Sequence, residues 1–129
     1  MEFDNMRFSK EHEWVRRKDD SSNEVTVGIT EYAAGELGDI VYIELPKVGT
    51  KVNASDAIGT IEAVKTVADL YAPVSGAVSA VNGRLEGEPD LVNASPYEDG
   101  WFLNIEMSDA SELDGLMTNE AYQDMIGEA

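Results

Sequence analysis

A lysine offers the clearest chemistry in this chain. In Ile58-Gly59-Thr60-Ile61-Glu62-Ala63-Val64-Lys65-Thr66-Val67-Ala68-Asp69-Leu70-Tyr71-Ala72-Pro73, two β-like runs flank Glu62 to Thr66. That pattern places Lys65 at or near the tip of a hairpin. An accessible tip lysine presents an amine that a modifying enzyme can acylate while reading the rigid hairpin beneath it; amidation removes the charge and adds a tethered group. The chain has only five lysines. Charged residues are ordinary at hairpin tips, so the residue alone decides little and its context must decide.

Other chemistries are poorly supplied. With no cysteine there is no disulfide framework, thiolate metal site or cysteine nucleophile, so thiol chemistry would have to come from an attached group. A nucleophile–base pair needs a histidine, and His12, the single one, lies among charged residues and reads as a surface or half-buried structural histidine. No Gly-x-Gly-x-x-Gly or phosphate-loop pattern occurs, and no spacing marks one of the many carboxylates for a raised pKa. The two Asn-Ala-Ser sequons, at Asn53 and Asn93, carry no meaning in a cytosolic chain.

The elements that must position the lysine are short. Residues 12–18 read as a strand, 19–23 as a polar turn, and Val25, Val27 and Ile29 as the alternating positions of a second strand. Thr30 is placed to cap a helix over Glu31 to Leu37, with Gly38 closing it. Residues 39–45 are β-branched and aromatic, and Pro46 stops them. From there to residue 107 frequent Gly, Pro and Asn-Gly breaks predict a compact antiparallel β structure. Trp101, Leu103, Ile105 and Met107 alternate in the last strand, their side predicted to face the core. Beyond it Leu113, Leu116, Met117, Tyr122, Met125 and Ile126 recur at helical spacing, predicting two short helices or one bent one over the sheet. Pro46 to Val52 and Pro73 to Val78 show a faint self-similarity.

The 129 residues suit a single domain over 1–129, with a β core at about 6–107 and a helical cover at about 109–126. Nine basic against 26 acidic residues give a net charge of −17, which excludes nucleic acid and anionic lipid as natural partners. No apolar run is long enough for a bilayer, and the first residues lack signal-peptide character, so a soluble, cytoplasmic monomer is expected.

Several motifs stand in a telling order: His12-Glu13-Trp14, Val27-Gly28-Ile29-Thr30, Leu37-Gly38-Asp39-Ile40-Val41, Glu44-Leu45-Pro46, Glu62-x-x-Lys65, Ala72-Pro73-Val74-Ser75-Gly76-Ala77-Val78 and Asn93-Ala94-Ser95-Pro96-Tyr97-Glu98-Asp99-Gly100-Trp101. Over residues 6–126 they resemble the glycine cleavage system H protein family, a branch of the lipoyl and biotinyl carriers. Two departures stand out. Glu62-Ala63-Val64-Lys65-Thr66 replaces the common Glu-Ser-Val-Lys-Ala, and the 19–23 turn is longer than usual, as a surface insertion would be.

The resemblance implies a mainly β fold, a flattened β-barrel or sandwich of the barrel-sandwich hybrid type with short flanking helices, two of them near the C-terminus. It implies lipoic acid in amide linkage to Lys65, with Glu62 and Gly76 read by the lipoylating enzyme; a glycine at 76 also suits a tight turn of positive φ. It further implies that the loaded arm docks near Glu13 and Asp69. The implied role is a non-catalytic carrier. Its arm takes an aminomethyl group from glycine decarboxylase, the P protein, and gives it to the folate-dependent aminomethyltransferase, the T protein. The dithiol then returns to dihydrolipoamide dehydrogenase, the L protein, for oxidation. A relay protein that passes lipoate to other acceptors fits the same residues; from another class, an unmodified acidic binding module would keep only the fold, and the intact Glu62, Lys65 and Gly76 set argues against it. A biotin carrier fits less well, because Val64 and Thr66 replace the methionines that group favours beside the lysine.

Overall fold

The computed structural model describes residues 6–17, 19 and 22–127. Among these residues nine strands run in chain order: β1 Met6–Phe8, β2 Glu13–Arg17, β3 Glu24–Ile29, β4 Ile40–Glu44, β5 Lys51–Val52, β6 Ala57–Ala63, β7 Val67–Tyr71, β8 Gly76–Val81 and β9 Leu103–Met107. Six form one antiparallel sheet in the order β1-β2-β3-β9-β8-β5, and three form a second, β4-β6-β7. The expected mainly β fold is present. Of the expected barrel or sandwich, the sandwich is what forms, because the two sheets are not closed into a barrel.

The core lies between the sheets. Val25, Val27, Val78, Leu103 and Ile105 from the larger sheet meet Ile40, Ile43, Ile61 and Leu70 from the smaller one. Period-2 alternation accounts for this, since each strand sends every second side chain inward. A second, aromatic cluster of Met6, Phe8, Trp14 and Tyr122 packs apart from it. Strand β2 feeds both clusters, Val15 the first and Trp14 the second. Trp14 pairs with Gly28 on β3, and a Cβ there would stand 2.6 Å from the indole, so the glycine of the Val27-Gly28-Ile29-Thr30 motif makes room for the ring.

Helix α1, Glu31–Leu37, forms where the sequence predicts it: the Thr30 hydroxyl accepts from Ala33 N–H and Gly38 closes the helix at φ 79°. Near the C-terminus a 3-10 helix spans Ala110–Gly115 and an α-helix spans Asn119–Ile126, as expected. The latter is capped by Thr118 and closed by Gly127 in the left-handed region. Phe8 exchanges two backbone hydrogen bonds with Met117, at 2.8 Å each, and its ring stacks on Tyr122. The C-terminal helix and the residues before it thus lie against β1.

Three details differ from expectation. Two single-turn helices, Arg84–Gly87 and Leu91–Ala94, occupy a stretch read as β and turns; they bury Leu85 and Val92, and four residues are too few to show a period. The last strand begins at Leu103, so Phe102 is buried in the main core while Trp101 packs on the aromatic cluster; the alternation holds only where the chain is on the pleat. Met125 faces solvent. The weak repeat has a structural counterpart: Gly49 N–H donates to Val78 O and Val78 N–H to Thr50 O, so its two copies are antiparallel partners. Residues 18, 20 and 21, part of the predicted strand end and turn, lie outside the described residues.

Candidate functional site

Lys65 occupies the tip of the β6–β7 hairpin. The ladder pairs Thr60 with Asp69, Ile61 with Ala68 and Glu62 with Val67, and Ala63 N–H closes it on Thr66 O at 2.8 Å. A second tie holds the tip, from Val64 N–H to Asp39 O at 3.0 Å. Asp39 sits in the corner between α1 and β4, and this corner is itself clamped: Asn93 Nδ2 donates to Gly38 O and Asn93 Oδ1 accepts from Ile40 N–H. The lysine is exposed, and its stem runs past Gly38, where a Cβ would stand 3.6 Å from Lys65 Cε. The result is an accessible amine on a rigid base.

Beside the hairpin opens a cavity of about 290 Å³. Ile29, Ala33, Leu37, Ile61 and Ala68 give it apolar walls, and Glu11, Glu36 and the two expected acids, Glu13 and Asp69, line it as well. The structure thus brings together two acids that lie 56 residues apart in sequence. They differ in character. Asp69 is exposed on β7, whereas Glu13 is almost wholly buried, accepting hydrogen bonds from the Ser9 hydroxyl at 2.5 Å and from Tyr71 N–H at 3.3 Å. Burial pushes its carboxyl up to about 7; the two hydrogen bonds oppose the shift and the charge of Glu11 adds to it.

Glu62 and Gly76 lie elsewhere. Glu62 points outward from β6, between the inward-facing Ile61 and Ala63. Gly76 opens β8 in the larger sheet, between Val52 and Met107, and a Cβ there would lie 2.1 Å from Glu106 O. Gly76 has the expected positive φ, 158°, but in a strand rather than a tight turn, and the close approach of neighbouring backbone demands glycine there.

His12 is half-buried, as expected of a structural histidine. Its Nδ1 lies 2.8 Å from the Tyr122 hydroxyl, which also lies 2.7 Å from Thr30 Oγ1, and its own carbonyl accepts from Thr30 N–H. Burial pushes the Tyr122 phenol up to about 12. Among the described residues no group of His, Asp and Glu is arranged to hold a metal ion. No described helix is long and apolar enough to cross a membrane.

Reading the sequence alone missed Asn93, dismissed as a sequon, and Tyr122, taken as packing. The signal for the first was its motif: in Asn93 to Trp101, Pro96 O accepts from the Trp14 indole and Tyr97 O from Arg16, so the whole segment is an anchor for β2 and the α1–β4 corner.

A two-sheet sandwich with an exposed hairpin lysine beside an acid-lined apolar cavity defines a class of small β scaffold built to present one amine. Comparison with known proteins narrows the class. The glycine cleavage H-protein family model matches residues 6–129. The glycine cleavage system H protein of Staphylococcus saprophyticus is 54% identical over 95% of both chains, and that of Bacillus cereus strain B4264 is 52% identical over 96% of this chain and 95% of its own. The crystal structure of the glycine cleavage system H protein from Mycobacterium marinum superposes with a TM-score of 0.87 at 32% identity, covering 96% of this chain and 98% of that one. The chain belongs to the glycine cleavage H-protein family.

Proposed function

We propose that the chain is the lipoyl carrier of a glycine cleavage system, one domain acting as a cytoplasmic monomer and not itself an enzyme, with lipoic acid in amide linkage to Lys65. The observation that carries this reading is the exposed Lys65 on a doubly tied hairpin beside the cavity that Glu13 and Asp69 line. These residues fit the group: apolar walls suit an aliphatic arm, and the acidic residues of the lining suit an amine at its end. When attached, lipoyl supplies a dithiolane able to accept the aminomethyl group from glycine decarboxylase, deliver it to the folate-dependent aminomethyltransferase and be reoxidised by dihydrolipoamide dehydrogenase.

The chain's own part is addressing, holding and releasing. Lys65 gives up its charge on acylation, so the arm's root no longer prefers water and can lie along Ile61, Ala68 and Leu37. Asp69 at the mouth provides negative charge for a cationic end group, while Glu13 deeper in, held by Ser9 and Tyr71, adds its charge only as pH rises through about 7. Glu62, three residues before the lysine on the outer face, serves recognition by the lipoylating enzyme. Gly76 acts there through the fold, since it lets β8 close on β9.

The test is intact mass after incubation with a lipoate–protein ligase, lipoate and ATP, for the parent chain and for Lys65→Ala. One added lipoyl group that is absent from the variant is expected. An unlabelled parent, under conditions that label a known lipoyl domain, would overturn the proposal.

A further inference from the structure

The outer face of the β4-β6-β7 sheet carries a feature the carrier role does not explain. Tyr42, Glu62 and Val67 pair across the three strands, so their side chains stand in one row on the same face. All three are exposed. Among the described residues the exposed large hydrophobics are Val41, Tyr42, Val48, Val64, Val67 and Met125, and four of them border this row or the hairpin tip. Val64, next to Lys65, is 70% exposed. Single exposed apolar residues are ordinary, but here Tyr42 and Val67 flank Glu62 in one row and Val64 stands beside the reactive amine, a mixed apolar and acidic group that marks a contact surface. The next row along, Glu44, Thr60 and Asp69, adds two exposed carboxylates.

Reach identifies the occupant. An extended lysine side chain puts its nitrogen about 6 Å from Cα, at about 1.5 Å per bond. An enzyme forming a bond at that nitrogen must therefore bring its surface onto the tip and the rows beside it. Enzymes that act on the far end of an eight-carbon acyl arm work at roughly twice that distance and can do so without covering the row. Charge gives the partner's character, because Glu62 stands between Tyr42 and Val67 and the exposed Glu44 and Asp69 lie in the next row.

Resting on the lipoylation reading above, we infer that Tyr42, Glu62 and Val67, with Val64 at the tip, form the docking face for the lipoylating enzyme, which meets it with apolar contacts to Tyr42 and Val67 and with cations facing Glu62, Glu44 and Asp69. Specificity then lies in the sheet row as much as in the hairpin sequence.

The experiment compares steady-state lipoylation of the full chain by a lipoate–protein ligase with lipoate and ATP, read by intact mass. Tyr42→Ser/Val67→Ser is set against Val48→Ser/Met125→Ser, which removes equally exposed apolar groups elsewhere. All four positions face solvent, so an unchanged melting midpoint is expected in both variants. The row variant should raise KM for the chain about tenfold with kcat within about twofold, while the control matches the parent. Val67→Lys should cost more than Val67→Ser, because it sets a cation beside the partner's cation that faces Glu62. Once fully lipoylated by long incubation, the row variant should accept the aminomethyl group at the parental rate.

A parental KM in the row variant, or an equal rise in the control, overturns the inference. So does a lipoylated row variant that is also slow in aminomethyl transfer, since the face would then serve every partner alike. A parent that is never lipoylated sinks the carrier reading itself, and this inference with it; a parent labelled normally beside an indifferent row variant sinks only the inference.

Discussion

At the scale of single residues, Glu13 has the most to report. Its carboxyl is raised from 4.5 to about 7 by burial, so between those values the folded chain holds a proton that the unfolded chain has released. Stability is therefore fullest below about pH 4.5, falls as pH rises through 7 and levels off above it. Glu13→Gln should abolish this slope, gaining up to about 3 kcal/mol on the parent by pH 8, measured as chemical denaturation at a series of pH values. Parallel curves for the two chains would contradict the raised pKa. Gly76→Ala makes the opposite case, a loss at every pH: its methyl would collide with Glu106 O and should cost about 3 kcal/mol or more, with β8 leaving β9. If Gly76→Ala melted like the parent, the close approach would be wrong. Lys65 was legible in the sequence because two apolar runs bracket it. The burial of Glu13 was not, although Val15 two residues on shares its face of β2 and is itself core; the charged neighbours of the segment masked that alternation.

Elements explain why the lysine is held still. The hairpin tip leans on the α1–β4 corner through Val64 N–H, and Asn93 grips that corner on both sides of Asp39. Asn93→Ala should cost about 1–2 kcal/mol for two lost side-chain hydrogen bonds and speed amide exchange at Val64 while leaving Ile61 protected. Exchange at Val64 that did not change would detach the clamp from the tip. Helix α1 was readable residue by residue because Thr30, Glu31 and Gly38 are each the chemistry a helix end requires. The four-residue helices after β8 were not, because their shape is set by Leu85 and Val92 finding the core rather than by any period of their own. The clamp was invisible for a related reason: Asn93 acts 53 and 55 residues away from its own place in the chain.

For the whole molecule, charge is the governing quantity. A net charge of −17 on 129 residues repels itself in the folded state more than in an expanded chain. Raising salt from about 0.01 M to about 1 M shortens the screening length from about 30 Å to about 3 Å. The melting midpoint of the unmodified protein should accordingly climb across a sodium chloride series, most steeply at the dilute end. A flat series would mean that the acids are spread widely enough not to matter. A compact antiparallel β structure and the C-terminal helices were legible, since alternation and turn residues speak for each strand, whereas the sandwich came only from the family resemblance. The division into two sheets was not legible, because pairing partners are a property of the finished fold.

The contact of Phe8 with Met117 and Tyr122 also fixes an order of events during synthesis. A nascent chain can close the β6–β7 hairpin soon after Tyr71 has left the ribosome, because the paired residues are neighbours. The aromatic cluster must wait for Tyr122, which lies 110 residues beyond its partner His12. The amine's immediate platform therefore matures early in translation and the remainder of the scaffold late. A ligase that reads the hairpin and its sheet row can distinguish a half-made carrier from a finished one only by features that the last residues bring into place.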